Sequence, residues 1–157
     1  MSRTVLFVCT GNICRSPMAE AILRRDLAAR GIADVTVRSA GTGAWEGAPA
    51  SEAAYLVSLE NDLDLSKHTA TPLSREAVED ADLVIVMAGH HRVRAEELGG
   101  DGKTYLLGEL AGRTGPEAEV SDPFGASMEV YRNSFSEIAS LIEASMDRIV
   151  ETLRAEN

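Results

Sequence analysis

Apolar and polar positions alternate between two patterns along this chain. Thr4-Val5-Leu6-Phe7-Val8 is apolar or β-branched throughout and runs almost directly into a polar Thr-Gly-Asn turn. A run of this kind predicts a short strand covered on both faces, as in the middle of a parallel sheet. Pro17 then suits the first turn of a helix, and Met18, Ala19, Ile22, Leu23 and Leu27 recur at helical spacing until Gly31 supplies a stop. Val35 to Ser39 reads as a second strand, followed by a Gly-rich loop from Ala40 to Pro49 that carries the only tryptophan, Trp45. A helix is predicted from Ser51 to Leu59, and Ser74 can cap another that runs toward Ala81. Leu83 to Met87 is a third strand, His90 to Leu98 a helix, and Lys103 to Leu107 a fourth strand. A turn-rich stretch through Asp122-Pro123-Phe124-Gly125 leads into a long amphipathic helix marked by Val130, Ile138, Leu141, Ile142, Met146, Ile149 and Leu153.

Strands that alternate with helices predict an α/β fold, because each crossover to a parallel neighbour needs a helix-sized connection. The expectation is one domain over residues 1–157, a four-stranded parallel sheet with helices on both faces. Chemistry in such sheets sits at the carboxyl ends of the strands. Nothing in the pattern divides the chain, and 157 residues suffice for a core without disulfides or a structural metal.

The net charge of -10 changes the picture in one respect. A surface this acidic repels nucleic acid and anionic membrane, so an anionic substrate must be captured locally, by main-chain amides and a well-placed cation. No run approaches a membrane span, and the N-terminus lacks the layout of a signal peptide, so the expected location is cytoplasmic. The two cysteines, Cys9 and Cys14, stand too close together to frame a secreted domain and read instead as reactive thiols.

Between the first strand and the first helix lies Cys9-Thr10-Gly11-Asn12-Ile13-Cys14-Arg15-Ser16. A loop there can curl its N–H groups around an anion, with the positive end of the helix behind them. Arg15 can bind two phosphoryl oxygens at once, which a lysine cannot match in geometry. Gly11 and Asn12 suit the positive φ angles of a tight curl. A helix start beside a cation favours the thiolate of Cys9, and the Ser16 hydroxyl can donate to that sulfur. Attack on phosphorus would leave a phosphocysteine, and the departing oxygen needs a general acid. Asp122 is the candidate, held off any helix by Pro123. This scheme needs neither metal nor cofactor, and no cluster at metal-ligand spacing is visible.

At these residues the chain resembles the low-molecular-weight protein tyrosine phosphatase family. The stretch Phe7 to Glu20, the segment Arg38-Ser39-Ala40-Gly41-Thr42 and the pair Asp122-Pro123 carry the likeness, which spans essentially the whole chain. The resemblance implies that Cys9 is the nucleophile, Arg15 the phosphate clamp and Asp122 the acid and base. It further implies that Thr10, Gly11, Asn12, Ile13, Cys14 and Ser16 shape the phosphate loop, with Ser39 and His68 supporting it. Trp45 and Phe124 would wall the substrate cleft, and Cys14 would form a reversible disulfide with an oxidised Cys9. The implied partners are a phosphorylated protein as substrate and inorganic phosphate as product and inhibitor. Ile13 favours phosphotyrosine, since the sister group of protein arginine phosphatases carries threonine there. Asp122-Pro123-Phe124-Gly125 and His68 to Leu73 look more like that arginine branch.

Structural readings stand beside the chemical ones. Cys14 also suits a small buried residue packing the helix start, and His68 a hydrogen-bonding support. His90, His91, Arg92 and Arg94 read as a solvated helix face. The rival from another class is a flavodoxin-like module holding a flavin phosphate in the Thr-Gly-Asn loop, which has no need of Cys9 or Arg15. An arsenate reductase would need a further cysteine pair, and a nucleoside triphosphatase a Gly-Lys-Ser/Thr loop; neither is present.

Overall fold

The computed structural model describes residues 2–155. Four parallel strands, β1 (Arg3–Cys9), β2 (Val35–Gly41), β3 (Leu83–Val86) and β4 (Thr104–Leu106), lie in the order β2-β1-β3-β4. The helices are α1 (Arg15–Ala29), α2 (Glu52–Glu60), α3 (Arg75–Asp80), α4 (Gly89–Ala95), α5 (Leu107–Leu110) and α6 (Met128–Ala155).

β1 owes its place in the middle to its composition, because it presents apolar side chains on both sides. Val5, Phe7 and Cys9 face a core built with Met18, Ile22 and Leu23 of α1 and Ile138, Leu141 and Ile142 of α6. Leu6 and Val8 face a smaller core with Val84, Val86, Val78 and Ala95, beneath α3 and α4. Each of the larger side chains contributes roughly 1.5–3 kcal/mol by leaving water, so the two-faced burial of β1 keeps it off the sheet edge.

The chain leaves β1 for β2 by way of α1 on one face and leaves β3 for β4 by way of α4 on the other. The carboxyl ends of these adjacent strands therefore part, and a crevice opens where Cys9 ends β1.

Several boundaries differ from the pattern-based expectation. α1 begins at Arg15, two residues before Pro17, which sits within the first turn where its missing N–H costs nothing. β2 runs on to Gly41, and α4 stops at Ala95, where a π-helical turn (Glu96–Gly100) closes with Gly99 at φ 106. Leu107 starts the four-residue α5 instead of ending β4, and a short turn at Gly115–Ala118 follows. Val130 is exposed on α6, one position away from the stripe that buries Tyr131, Phe135 and Ile138. Among the described residues, no helix is long and apolar enough to cross a membrane.

Candidate active site

Residues 10–14 bend continuously between β1 and α1. Asn12 takes the left-handed conformation, φ 55, which asparagine tolerates better than most residues. Gly11 does not, and a Cβ there would make only an ordinary contact, 3.4 Å from Ile13 Cγ1, so neither φ nor space demands a glycine at this position. The curl packs tightly on β2. Thr42 N–H donates to Cys9 O at 3.0 Å and Gly43 N–H to Thr10 O at 2.9 Å. A Cβ on Gly41 would lie 2.4 Å from Thr10 O, so only glycine lets the two strand ends approach. Among the described residues, the N–H groups of Gly11, Asn12, Ile13 and Cys14 donate to no protein acceptor.

Around Cys9 the donors and acceptors have only one consistent direction. Thr71 N–H donates to Asn12 Oδ1 at 2.8 Å, which fixes the amide so that Nδ2 turns inward. Nδ2 gives its two hydrogens to Ser16 Oγ at 2.8 Å and Ser39 Oγ at 2.9 Å. Ser16, its oxygen thus engaged, donates its own proton to Cys9 Sγ at 2.8 Å. Ser39 in turn donates to Glu20 Oε1. The two branches end on a sulfur and a carboxylate oxygen. His68 Nε2 donates to Asn12 O at 2.7 Å.

Arg15 is 4 % exposed, so its charge is costly unless anions meet it. Its Nη1 donates to Val120 O at 2.8 Å and its Nη2 lies 3.6 Å from Asp122 Oδ2, while its buried Nε has no hydrogen-bond partner among the described residues. Asp122 sits half-exposed and turns its Oδ1 back to accept from Phe124 N–H at 3.0 Å. Cys9, Thr10, Gly11, Ile13, Cys14, Arg15, Asp122 and Phe124 line one cavity of about 230 Å³. A larger cavity of about 450 Å³ lies behind the loop, against Ser39 and His68, and reaches neither Cys9 nor Arg15. It is therefore not where the sulfur could react.

A model of the low molecular weight phosphotyrosine protein phosphatase family matches residues 4–157. The chain belongs to that family. A probable low molecular weight protein-tyrosine-phosphatase, EpsP of Ralstonia solanacearum, is 36% identical over 151 residues, covering 95% of this chain and 97% of its own. The protein-arginine-phosphatase of Bacillus subtilis (strain 168) is 39% identical over 140 residues, covering 88% of this chain and 91% of its own. A solved structure of the YwlE arginine phosphatase, a mutant with a phosphorylated active-site serine, superposes with a TM-score of 0.87 at 35% identity, covering 98% of this chain and 99% of that one.

On the wall of this phosphatase's cavity stands Cys14. Cys14 is buried, its Sγ 3.3 Å from Ser51 Oγ and 3.2 Å from Tyr131 Oη. Burial pushes its thiol up, and burial together with the Cys14 contact pushes the Tyr131 hydroxyl up to about 12. Both groups thus stay protonated at neutral pH. Trp45 stands 84% exposed on the loop after β2 and is not among the residues that line the cavity, whereas Phe124, 65% exposed, is at its rim.

His91 corrects the solvated-face expectation, for it is completely buried. It occupies the first turn of α4, and that turn faces the loop of residues 10–14 while Val93 and Arg94 face outward. His91 Nε2 lies 2.9 Å from Thr10 Oγ1. Val120, whose carbonyl holds Arg15, was also missed. The sequence signal for His91 is its place on the turn directly after a strand end, where open α/β sheets gather their functional groups. Val120 offered no such signal, since any residue can lend a carbonyl.

Proposed function

We propose that this phosphatase hydrolyses phosphotyrosine in proteins through a phosphocysteine intermediate. Carrying the reading is the convergence of a sulfur that accepts a serine proton and a buried guanidinium with a free Nε on one small cavity, with Asp122 at its edge. The phosphoryl oxygens take the loop N–H groups and Arg15, which replaces the missing partner of the buried charge. Cys9 sulfur attacks phosphorus, forming the S–P bond as the P–O bond to the phenol breaks, and protonated Asp122 gives the departing oxygen its proton. Asp122, now a carboxylate, takes a proton from water as that water attacks phosphorus. The S–P bond breaks, and inorganic phosphate, the product and competitive inhibitor, leaves. The neighbouring YwlE structure, with its phosphorylated active-site serine, supports a covalent phosphoryl intermediate at the nucleophile.

The phenyl ring suits the walls. Ile13 and Phe124 are apolar, and contact with both is worth roughly 1–3 kcal/mol. Phosphoarginine is the second reading, favoured by similarity to protein-arginine-phosphatases. Its guanidinium would bring a second cation beside Arg15, with Asp122 the one carboxylate among the lining residues. Comparing kcat/KM for matched phosphotyrosine and phosphoarginine peptides tests the choice, and a preference for phosphoarginine overturns it.

The setting that suits this chemistry is a reducing one, the cytoplasm. There an oxidised Cys9 sulfenic acid would condense with the Cys14 thiol, forming a disulfide and releasing water. Peroxide inactivation that dithiothreitol reverses in the parent but not in Cys14→Ser is the expected signature.

A further inference from the structure

We propose that His91 is a positioning residue of this phosphatase, holding the Thr10 hydroxyl so that its oxygen steadies Arg15 while its proton is presented to a phosphoryl oxygen. The inference rests on the phosphatase reading of the cavity.

The tautomer follows from the geometry. Ala88 N–H donates to His91 Nδ1 at 3.1 Å, so Nδ1 is a bare acceptor and the ring proton sits on Nε2. Nε2 therefore donates to Thr10 Oγ1 at 2.9 Å. On its other side the same oxygen lies 3.5 Å from Arg15 Nη2, a long contact that shortens with small movement of either group. With both acceptor directions of Thr10 taken, its hydroxyl hydrogen must leave in a third direction, and Thr10 lines the cavity. A threonine left to itself would spin among three rotor positions, and only one of these serves a bound phosphoryl group.

The ring also has to remain neutral. A proton on Nδ1 would expel the Ala88 N–H and set a second cation beside Arg15. Burial, then the neighbouring His90 and Arg15, lower the His91 pKa from the ordinary 6.5 to about 3. A cap for Ala88 alone would explain the Nδ1 contact; it would not explain an imidazole whose other nitrogen meets the residue next to the nucleophile.

Two substitutions separate the two nitrogens. In His91→Asn the side-chain oxygen still reaches Ala88 N–H, and no atom reaches Thr10. In His91→Gln the amide nitrogen reaches Thr10. With p-nitrophenyl phosphate as substrate, His91→Asn and Thr10→Val should each lower kcat/KM by roughly tenfold and weaken inhibition by inorganic phosphate to a similar extent. The double variant should be no worse than Thr10→Val by more than about twofold, and His91→Gln should recover most of the loss. Single effects that multiply to about a hundredfold in the double variant would overturn the proposal. So would a His91→Asn variant that melts earlier with unchanged kinetic constants. Should the variants fail to fold, nitrogen NMR of the parent decides, because a proton on Nδ1 at neutral pH would equally overturn it. A parent that cleaves no phosphate ester defeats the phosphatase reading instead, and phosphate affinities of the same variants by calorimetry still report whether His91 and Thr10 are coupled.

Discussion

Replacing Asn12 by aspartate reverses one group at the head of the network while leaving its shape intact. Aspartate tolerates the left-handed φ of 55 and can still accept from Thr71 N–H, so the fold should survive. The other carboxylate oxygen, however, accepts where Nδ2 donated. Ser16 then turns its proton away from Cys9 toward the introduced carboxylate, and the sulfur loses a charge-assisted hydrogen bond worth about 1.5–3 kcal/mol. A new negative charge also arrives about 6 Å from the sulfur, across one hydroxyl, which at an effective dielectric of about 20 opposes the thiolate by about 3 kcal/mol. Even if relaxation removes more than half of the total, about 2 kcal/mol remains, or roughly thirtyfold in rate. Steady-state kcat/KM for p-nitrophenyl phosphate at pH 7 reads the loss, with thermal melting as the control for folding. Ser39→Ala, which removes only the branch toward Glu20, should lose less than tenfold. An Asn12→Asp enzyme that retains its fold and works within about threefold of the parent would show that the direction of this network does not matter to the sulfur.

Other expectations follow from single features. Cys9→Ser should abolish turnover of aryl phosphates and still bind inorganic phosphate by calorimetry, since the N–H groups and Arg15 remain; full turnover would remove Cys9 from the nucleophile's place. Asp122→Asn should slow phenyl phosphate far more than an ester whose leaving group needs no proton, roughly a hundredfold against a few-fold, and equal effects on both would place the acid elsewhere. For His91, whose pKa is lowered from 6.5 to about 3, stability is full above 6.5 and falls as pH drops toward 3, because there the unfolded chain binds the additional proton. The loss from this group at pH 5 is about 2 kcal/mol. Urea titrations at pH 8 and pH 5 on the parent and His91→Gln should show that difference vanish in the variant, and an unchanged difference would contradict it.

The curl between β1 and α1 was legible because its parts are neighbours in the chain. An unbroken apolar strand, eight residues beginning at Cys9 and ending at Ser16, and a helix start with Pro17 in its first turn leave the main chain little choice but to curl. The directions of the strands, the two-faced burial of β1 and the long apolar stripe of α6 were likewise written in local periodicity. What periodicity gives is the face of each element relative to itself. Which face meets the site depends on the order of strands in the sheet, and that order is set by packing among distant segments.

The contacts that complete the cavity are therefore the ones the sequence could not announce. Thr10 meets His91 across 81 positions and Arg15 meets the Val120 carbonyl across 105. His91 looked like part of a solvated face until the first turn of α4 was laid against the loop of residues 10–14, and Trp45, 84% exposed on the loop after β2, is not among the residues lining the cavity. Short-range stereochemistry determined the curl of residues 10–14; the strand order β2-β1-β3-β4, a property of the whole core, decided what surrounds it.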